Sequence, residues 1–417
     1  MDCSVPLGRV HGTLTPPCSK SYAQRALAVS LLAEGVTTLS NIEFCQDTHS
    51  ALACIRTLGA RIEEVDASTL RIEGGLRPLD VRLQVGESGL ASRLFTPIAS
   101  LCDVPIRIEG TGSLLERPMQ MMIAPLRHLG VEVSDTAGRL PFEVCGPIRG
   151  GEIEVDGSLS SQFITGLLLA LPLAQEDTTL QVDCAVSTPY LDMTIDTAAR
   201  FGVEIFHKEY REFFIPGGQR YTATHFAIEG DWSAAAMLLV AGAVAGEVRV
   251  ENISALSKQA DTAILDALTR AGAHIEVEPE AVTAARPETL QAFTFDATHC
   301  PDLFPALAAL AANAEGESTL YGVSRLIHKE SNRAKALLEE YTKLGIRVSM
   351  DEEQDALLIC GGAIHATQVE SHNDHRIAMS LAVAGLCSDG TMQIADAECV
   401  AKSYPDFFED LERIRIK

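Results

Sequence analysis

One pattern recurs along the chain and limits what it can fold into. A short polar turn starts an Ala/Leu-rich helix, which stops at Gly or a polar residue and leads into a β-like run. Such helices are predicted to begin near Ser21, Gly89, Ser161, Trp232, Leu303 and His375, with separations of about 70 residues that mark an internal repeat. A second predicted helix in each unit ends in Gly followed by a short apolar strand: Leu58-Gly59-Ala60-Arg61-Ile62, Leu129-Gly130-Val131-Glu132-Val133, Phe201-Gly202-Val203-Glu204-Ile205, Ala271-Gly272-Ala273-His274-Ile275 and Leu344-Gly345-Ile346-Arg347-Val348. Each glycine takes the position just past a helix end, where positive φ is wanted. The sixth such helix, around residues 405–414, runs into the end of the chain, so the N-terminal strand is expected to complete the last unit.

Each unit reads as β-α-β-α-β-β. The first helices are apolar nearly all round and should be buried. The strands alternate, as in Leu70-Arg71-Ile72-Glu73 and Glu152-Ile153-Glu154-Val155, which puts one sheet face on the core and one in solvent. At 417 residues the chain is too long for one ordinary core. The expectation is an α/β fold of six repeats, three per lobe, with buried helices, outer sheets and a cleft between the lobes. Scarce aromatics, 5%, suit close packing of small aliphatic helices.

Composition excludes several classes. A formal net charge of −24 argues against a nucleic-acid partner, which would need a basic footprint. Any anionic ligand must therefore meet a local cluster of Lys and Arg rather than a global field. The 11 cysteines are odd in number, scattered and without Cys-x-x-Cys, so a disulfide framework or zinc ribbon is not expected and reduced cytosolic thiols are. His372-x-x-His375 is the only close histidine pair, and no metal or other cofactor is expected. Residues 1–15 lack a basic segment followed by an apolar one, and the apolar run at residues 163–173 is broken by Gly166 and Pro172. It reads as a buried helix, since a membrane span needs roughly 20 residues. A cytoplasmic protein with no membrane partner follows.

Repetition alone would fit a scaffold with no chemistry. The first-helix N-termini argue otherwise, because they differ: Ser19-Lys20-Ser21, Gly86-Glu87-Ser88-Gly89, Ser158-Leu159-Ser160-Ser161-Gln162, Gly230-Asp231-Trp232-Ser233, Cys300-Pro301-Asp302 and Asn373-Asp374-His375-Arg376. Helix N-termini offer a dipole and unused N–H groups to anions. In Pro17-Cys18-Ser19-Lys20-Ser21-x-x-x-Arg25 a Lys and an Arg lie on one helix face, where both could reach a phosphate or carboxylate, or simply form a cap and a solvated pair. The spacing is not that of a nucleotide-binding P-loop.

Residues 17–27 resemble the phosphate-binding opening of the 5-enolpyruvylshikimate-3-phosphate synthases. Further segments agree with that family in order: Glu116-Arg117-Pro118, the run from Asp156 to Phe163 with its Ser160-Ser161-Gln162, Ser187-Thr188-Pro189-Tyr190, Lys329-Glu330-Ser331-Asn332-Arg333, Asn373-Asp374-His375-Arg376-x-Ala378-Met379, and Lys402 in Ala401-Lys402-Ser403-Tyr404-Pro405. The similarity covers almost the whole chain. It implies the two-lobed enolpyruvyl-transferase fold, with residues 1–18 and 229–417 in one lobe, 19–228 in the other, and the active site in the cleft. It also implies an addition–elimination. The 5-hydroxyl of shikimate 3-phosphate attacks C2 of phosphoenolpyruvate as C3 is protonated, and a tetrahedral intermediate then loses phosphate and a C3 proton. The C–O bond breaks, so no phosphoryl-transfer metal is required.

The resemblance further implies the site residues. Phosphoenolpyruvate would lie among Lys20, Gly89, Arg117, Gln162, Arg333, Arg376 and Lys402. Shikimate 3-phosphate would meet Lys20, Ser21, Arg25, Ser160, Ser161, Gln162, Ser187, Asp302 and Lys329. Asp302 resembles the base for the 5-hydroxyl, and Glu330, with Lys20, the group that moves the C3 proton. Each serine read alone is a helix cap, and each carboxylate read alone is a cap or an ion pair. The partners implied are these two small substrates, acting on a monomer that closes around them.

The nearest rival is the sister enzyme acting on UDP-N-acetylglucosamine, whose loop carries a reactive Cys where this chain has Gly112. An anion-binding protein without catalysis is the other alternative. Several positions depart from the family pattern: Cys18 for Gly, Glu87 and Leu90 for Asn and Thr, Arg325 and Ile327 for Asn and Arg, and Asn332 for Asp. A carboxylate at Glu87 should repel phosphoenolpyruvate, so Glu87 is expected to pair with a cation and face away from it.

Overall fold

The six Ala/Leu-rich stretches form helices at Lys20–Leu32, Gly89–Ala99, Gln162–Ala170, Trp232–Ala245, Phe304–Ala312 and His375–Gly385. The computed structural model of the chain describes residues 2–327 and 329–416. All starts lie within one residue of expectation. Phe304–Ala312 is entered through a 3-10 turn, Pro301–Leu303. Every residue of Gly89–Ala99, Trp232–Ala245, Phe304–Ala312 and His375–Gly385 is buried. In the other two helices only Lys20, Ser21 and Gln162 escape full burial. Burial on all sides explains why these sequences carry no polar stripe. The five glycines that end second helices take φ of +116° (Gly59), +82° (Gly130), +85° (Gly202), +81° (Gly272) and +84° (Gly345), the conformation that selects glycine there.

The chain divides into two compact units, Cys18–Ile228 and Met1–Pro17 with Glu229–Lys417. In Cys18–Ile228, three four-stranded sheets share one order: a strand, its parallel partner, then two antiparallel strands. They run His225–Ala227, Val36–Ser40, Thr69–Glu73, Arg61–Asp66; Arg82–Gln84, Ile106–Glu109, Arg139–Cys145, Glu132–Thr136; and Gly151–Asp156, Thr178–Asp183, Glu212–Ile215, Phe206–Lys208. Alternation holds where it was read. Leu70, Ile72, Ile153 and Val155 are buried, while Arg71, Glu73, Glu152 and Glu154 are exposed.

The other unit repeats that order in Val10–Leu14, Gly246–Glu251, Ala281–Ala285, His274–Val277 and in Thr294–Asp296, Glu317–Tyr321, Ala356–Cys360, Arg347–Asp351. A three-stranded sheet follows it as far as Gln368–Glu370, Met392–Ala395 and Cys3–Val5. The N-terminal strand thus completes the last sheet, as expected.

Within most units of pattern the parallel pair flanks its own buried helix, the usual β-α-β crossover. Two pairs break this rule. Val10–Leu14 precedes Lys20–Leu32 in sequence but pairs with Gly246–Glu251, and His225–Ala227 precedes Trp232–Ala245 but pairs with Val36–Ser40. Each strand stays with its own unit while the following helix begins the other, which is how a chain in two units keeps one sheet pattern.

Candidate active site

In the unit Glu229–Lys417, one fully buried guanidinium organises the charged residues. Arg333 opens the helix Arg333–Lys343, whose N-cap Asn332 accepts from the Lys335 N–H at 3.2 Å. The Asn that replaces the family's Asp keeps this cap. Arg333 Nε donates to Asp374 Oδ2 at 2.8 Å and Nη2 to Asp374 Oδ1 at 3.2 Å, a two-pronged pair. Its Nη2 also reaches Glu330 Oε2 at 2.6 Å, and Nη1 reaches Asp302 Oδ1 at 2.8 Å. Asp302 in turn takes Lys329 Nζ at 3.1 Å and Arg376 Nη2 at 3.2 Å. Asp374 is the N-cap of His375–Gly385, accepting from the Arg376 N–H at 3.0 Å and the Ser331 hydroxyl at 3.1 Å. Lys402, also buried, donates to the Asn373 carbonyl at 2.9 Å.

Asp302, Glu330 and Asp374 thus face Lys329, Arg333 and Arg376. Burial by itself disfavours each charge. For Arg333 that penalty is outweighed by Asp374, Glu330 and Asp302, which hold it well above the ordinary arginine range. Arg376 is likewise buried, and Asp302 leads the charges that raise it. Lys329 goes the other way: burial lowers it, and Asp302 offsets only part. The Nε of Arg376 is buried without a hydrogen-bond acceptor among the described residues.

The unit Cys18–Ile228 is built differently. Ser19 caps Lys20–Leu32 through the Tyr22 N–H. Lys20 Nζ pairs with Asp47 Oδ2 at 2.9 Å. Arg25 is buried and, among the described residues, donates only to neutral acceptors: the Ser21 carbonyl at 2.8 Å, Thr194 Oγ1 at 2.9 Å, the Tyr190 carbonyl at 3.0 Å and Thr165 Oγ1 at 3.3 Å. Burial pulls its pKa down to about 10. Buried Ser187 has φ +55° and turns the chain into Pro189–Arg200, which carries Tyr190 and Thr194 to Arg25.

Gly89 begins its helix against two guanidinium groups. A Cβ there would lie 2.3 Å from Arg117 Nη1 and 3.5 Å from Arg93 Nη1, so a side chain would displace Arg117 from the helix N-terminus. Arg93 Nη1 donates to Gln162 Oε1 at 2.7 Å, and Nη2 to the Pro118 carbonyl at 3.2 Å. The Ser160 hydroxyl accepts from the Gln162 N–H at 3.2 Å. Ser161 is buried and makes no side-chain cap bond, contrary to the plain cap reading.

The departures find local partners. Cys18 is buried, its Sγ accepting from the Glu43 N–H at 3.1 Å. Leu90 is buried within its helix. Glu87 receives the Ser113 hydroxyl at 3.4 Å and lies over Gly112, where a Cβ would strike the carboxylate. Gly112 has φ +56°, so the position where the rival carries Cys is here a left-handed turn.

Sequence reasoning named Asp302, Lys329, Glu330, Arg333 and Arg376, and the fold joins all five in one network. It passed over Asp374, which sits at the centre of that network, and Asp47, the partner of Lys20. Arg93, which holds Gln162, also lay outside the named set. The available signal for Asp374 was an acid directly before an apolar helix that carries Arg two positions on. Among the described residues the acid–histidine group best disposed toward a cation is Glu339, Glu340 and His372, not His372 with His375. Lys343 Nζ already lies 2.9 Å from both Glu340 oxygens.

The model of the family EPSP synthase (3-phosphoshikimate 1-carboxyvinyltransferase) matches residues 5–411. A 3-phosphoshikimate 1-carboxyvinyltransferase of Thermococcus kodakarensis is 39% identical over 409 residues, covering 98% of both chains. One from Clostridium novyi is 35% identical over 417 residues, covering 97% of this chain and 95% of its own. The solved EPSP synthase of Acinetobacter baumannii superposes with a TM-score of 0.85 at 28% identity, covering 100% of this chain and 98% of its own. The match in sequence and in fold runs nearly end to end, and the chain belongs to the EPSP synthase family.

Proposed function

We propose that the two residue clusters described above carry out the family's reaction in this chain. That reaction transfers the enolpyruvyl (1-carboxyvinyl) group of phosphoenolpyruvate to the 5-hydroxyl of shikimate 3-phosphate, a transferase step of the shikimate pathway to aromatic amino acids. The observation that carries the assignment of residues is the network on Asp302, one carboxylate shared by Lys329, Arg333 and Arg376.

In this reading phosphoenolpyruvate takes Lys20, Gly89, Arg117, Gln162, Arg333, Arg376 and Lys402. The unused Nε–H of Arg376 is a donor suited to its carboxylate or phosphate. Shikimate 3-phosphate takes Ser21, Arg25, Ser160, Ser161, Gln162, Ser187 and Lys329, with its 5-hydroxyl at Asp302. Arrival of anions gives Lys329, Arg333 and Arg376 new partners. Their hold on Asp302 loosens, and the carboxylate can accept the hydroxyl proton. Glu330, bonded to Arg333, is the residue that moves the C3 proton in this reading, with Lys20 as the second candidate. Cations around the departing phosphate stabilise developing charge without a metal. Glu87 pairs with a cation and faces away from phosphoenolpyruvate. Both substrates are small water-soluble anions, and no helix among the described residues is long and apolar enough to cross a membrane. The reading includes action in the cytoplasm as a monomer.

Phosphate release tests the proposal, measured with phosphoenolpyruvate plus either shikimate 3-phosphate or UDP-N-acetylglucosamine. Release only with shikimate 3-phosphate is expected. Release only with the sugar nucleotide, or with neither, refutes it.

A further inference from the structure

Glu340 is fully buried two turns into the helix that Arg333 begins. Its carboxylate takes Lys343 Nζ at 2.9 Å, the Glu370 N–H at 3.0 Å and His372 Nε2 at 2.7 Å. Lys343 and the N–H would satisfy a merely structural acid. The third bond ties down the loop that leads into Asp374. In that loop His372 and Asn373 both adopt left-handed backbone, φ +53° and +52°, which a side chain must be held to keep. The Ser371 hydroxyl accepts from the Asn373 N–H at 3.1 Å and donates to the Asp396 carbonyl at 3.0 Å. The result of this turn is that the Asn373 carbonyl points at Lys402 Nζ, 2.9 Å away. One helix therefore grips the loop at both ends, through Arg333 on Asp374 and through Glu340 on His372 and the Glu370 N–H.

We infer that Glu340 and His372 are positioning residues for Lys402: together they hold the left-handed turn that fixes where the Lys402 ammonium meets phosphoenolpyruvate. Neither residue need touch substrate. The inference rests on the reading of Lys402 as a phosphoenolpyruvate ligand. It assigns the His372 ring the role of a donor to Glu340, which requires its proton on Nε2. A metal between these side chains is disfavoured, because the Lys343 ammonium occupies the carboxylate.

Steady-state kinetics of the full chain test it with His372→Ala, Glu340→Gln, Lys402→Met and the double variant His372→Ala/Lys402→Met. His372→Ala is expected to raise KM for phosphoenolpyruvate about tenfold, since small misplacement of a positioned group is costly. KM for shikimate 3-phosphate should stay within about twofold, because a shift of Lys402 bears on only one substrate. Glu340→Gln, which keeps the volume and can keep the Glu370 N–H bond, should show the same split. Lys402→Met should raise KM for phosphoenolpyruvate about a hundredfold, the scale of a charged hydrogen bond. In the double variant the His372 change should add nothing further. If Lys402→Met leaves that KM unchanged, the reading of Lys402 fails and the inference with it. If Lys402→Met behaves as expected but His372→Ala raises both KM values alike, or adds fully to Lys402→Met, the inference alone is overturned.

Discussion

Arg25 and Arg333 are both buried arginines in the first two turns of a helix, one in each unit, yet their surroundings are opposite. Arg25 meets two carbonyls and two hydroxyls, and burial pulls it down to about 10. Arg333 meets Asp374, Glu330 and Asp302, and those carboxylates overcome the same burial and hold it well above the ordinary range. Burial sets the cost of a charge, and the partner decides whether it is met. In the proposed site, a buried cation with no carboxylate partner among the described residues is the one that receives an anionic ligand. A cation already balanced by three carboxylates fixes those carboxylates in place instead. Net charge of −24 conceals this contrast, because it counts residues without regard to place.

Stability separates the two arginines most strongly. Arg333→Met leaves Asp374, fully buried, without its guanidinium, and should cost about 3–5 kcal/mol in chemical denaturation. Arg25→Met removes a buried charge held by neutral groups, and should cost about 1–3 kcal/mol through the acceptors it abandons. Equal losses would erase the distinction. A smaller effect is expected next door. Glu87→Gln should change KM for phosphoenolpyruvate by less than about tenfold, because in the proposed site that carboxylate is paired with a cation and turned away from the ligand. A fall in KM well beyond that would show Glu87 facing the ligand.

Much of the frame was legible from the chain alone. Helices buried on every side read as continuous Ala/Leu runs, and glycines past helix ends recur because the turn needs their conformation. Both signals are local and repeated, so each copy supported the others. The site was legible only as motifs, because what a charged side chain pairs with is set by tertiary contact. Asp302 and Arg376 lie 74 positions apart, and Asp374 and Arg333 lie 41. No periodicity encodes such pairs. The strand exchange was hidden for the same reason. Val10–Leu14 looks like the opening strand of the helix that follows it, and its true partner starts at Gly246. Glycine is what that partner requires, since a Cβ at Gly246 would fall 1.9 Å from the Val10 carbonyl oxygen.

The proposed site divides its labour between a buried arginine that binds and a carboxylate network that reacts. Calorimetric titration of shikimate 3-phosphate into wild type, Arg25→Met and Asp302→Asn tests it most directly, with turnover measured on the same preparations. Arg25→Met should weaken binding at least about tenfold, the scale of one lost charged hydrogen bond. Asp302→Asn leaves the anion-binding cations in place and should bind within a few-fold of wild type, while its turnover falls about a thousandfold for want of the base. Binding retained in Arg25→Met but lost in Asp302→Asn, or turnover untouched by Asp302→Asn, would contradict the account.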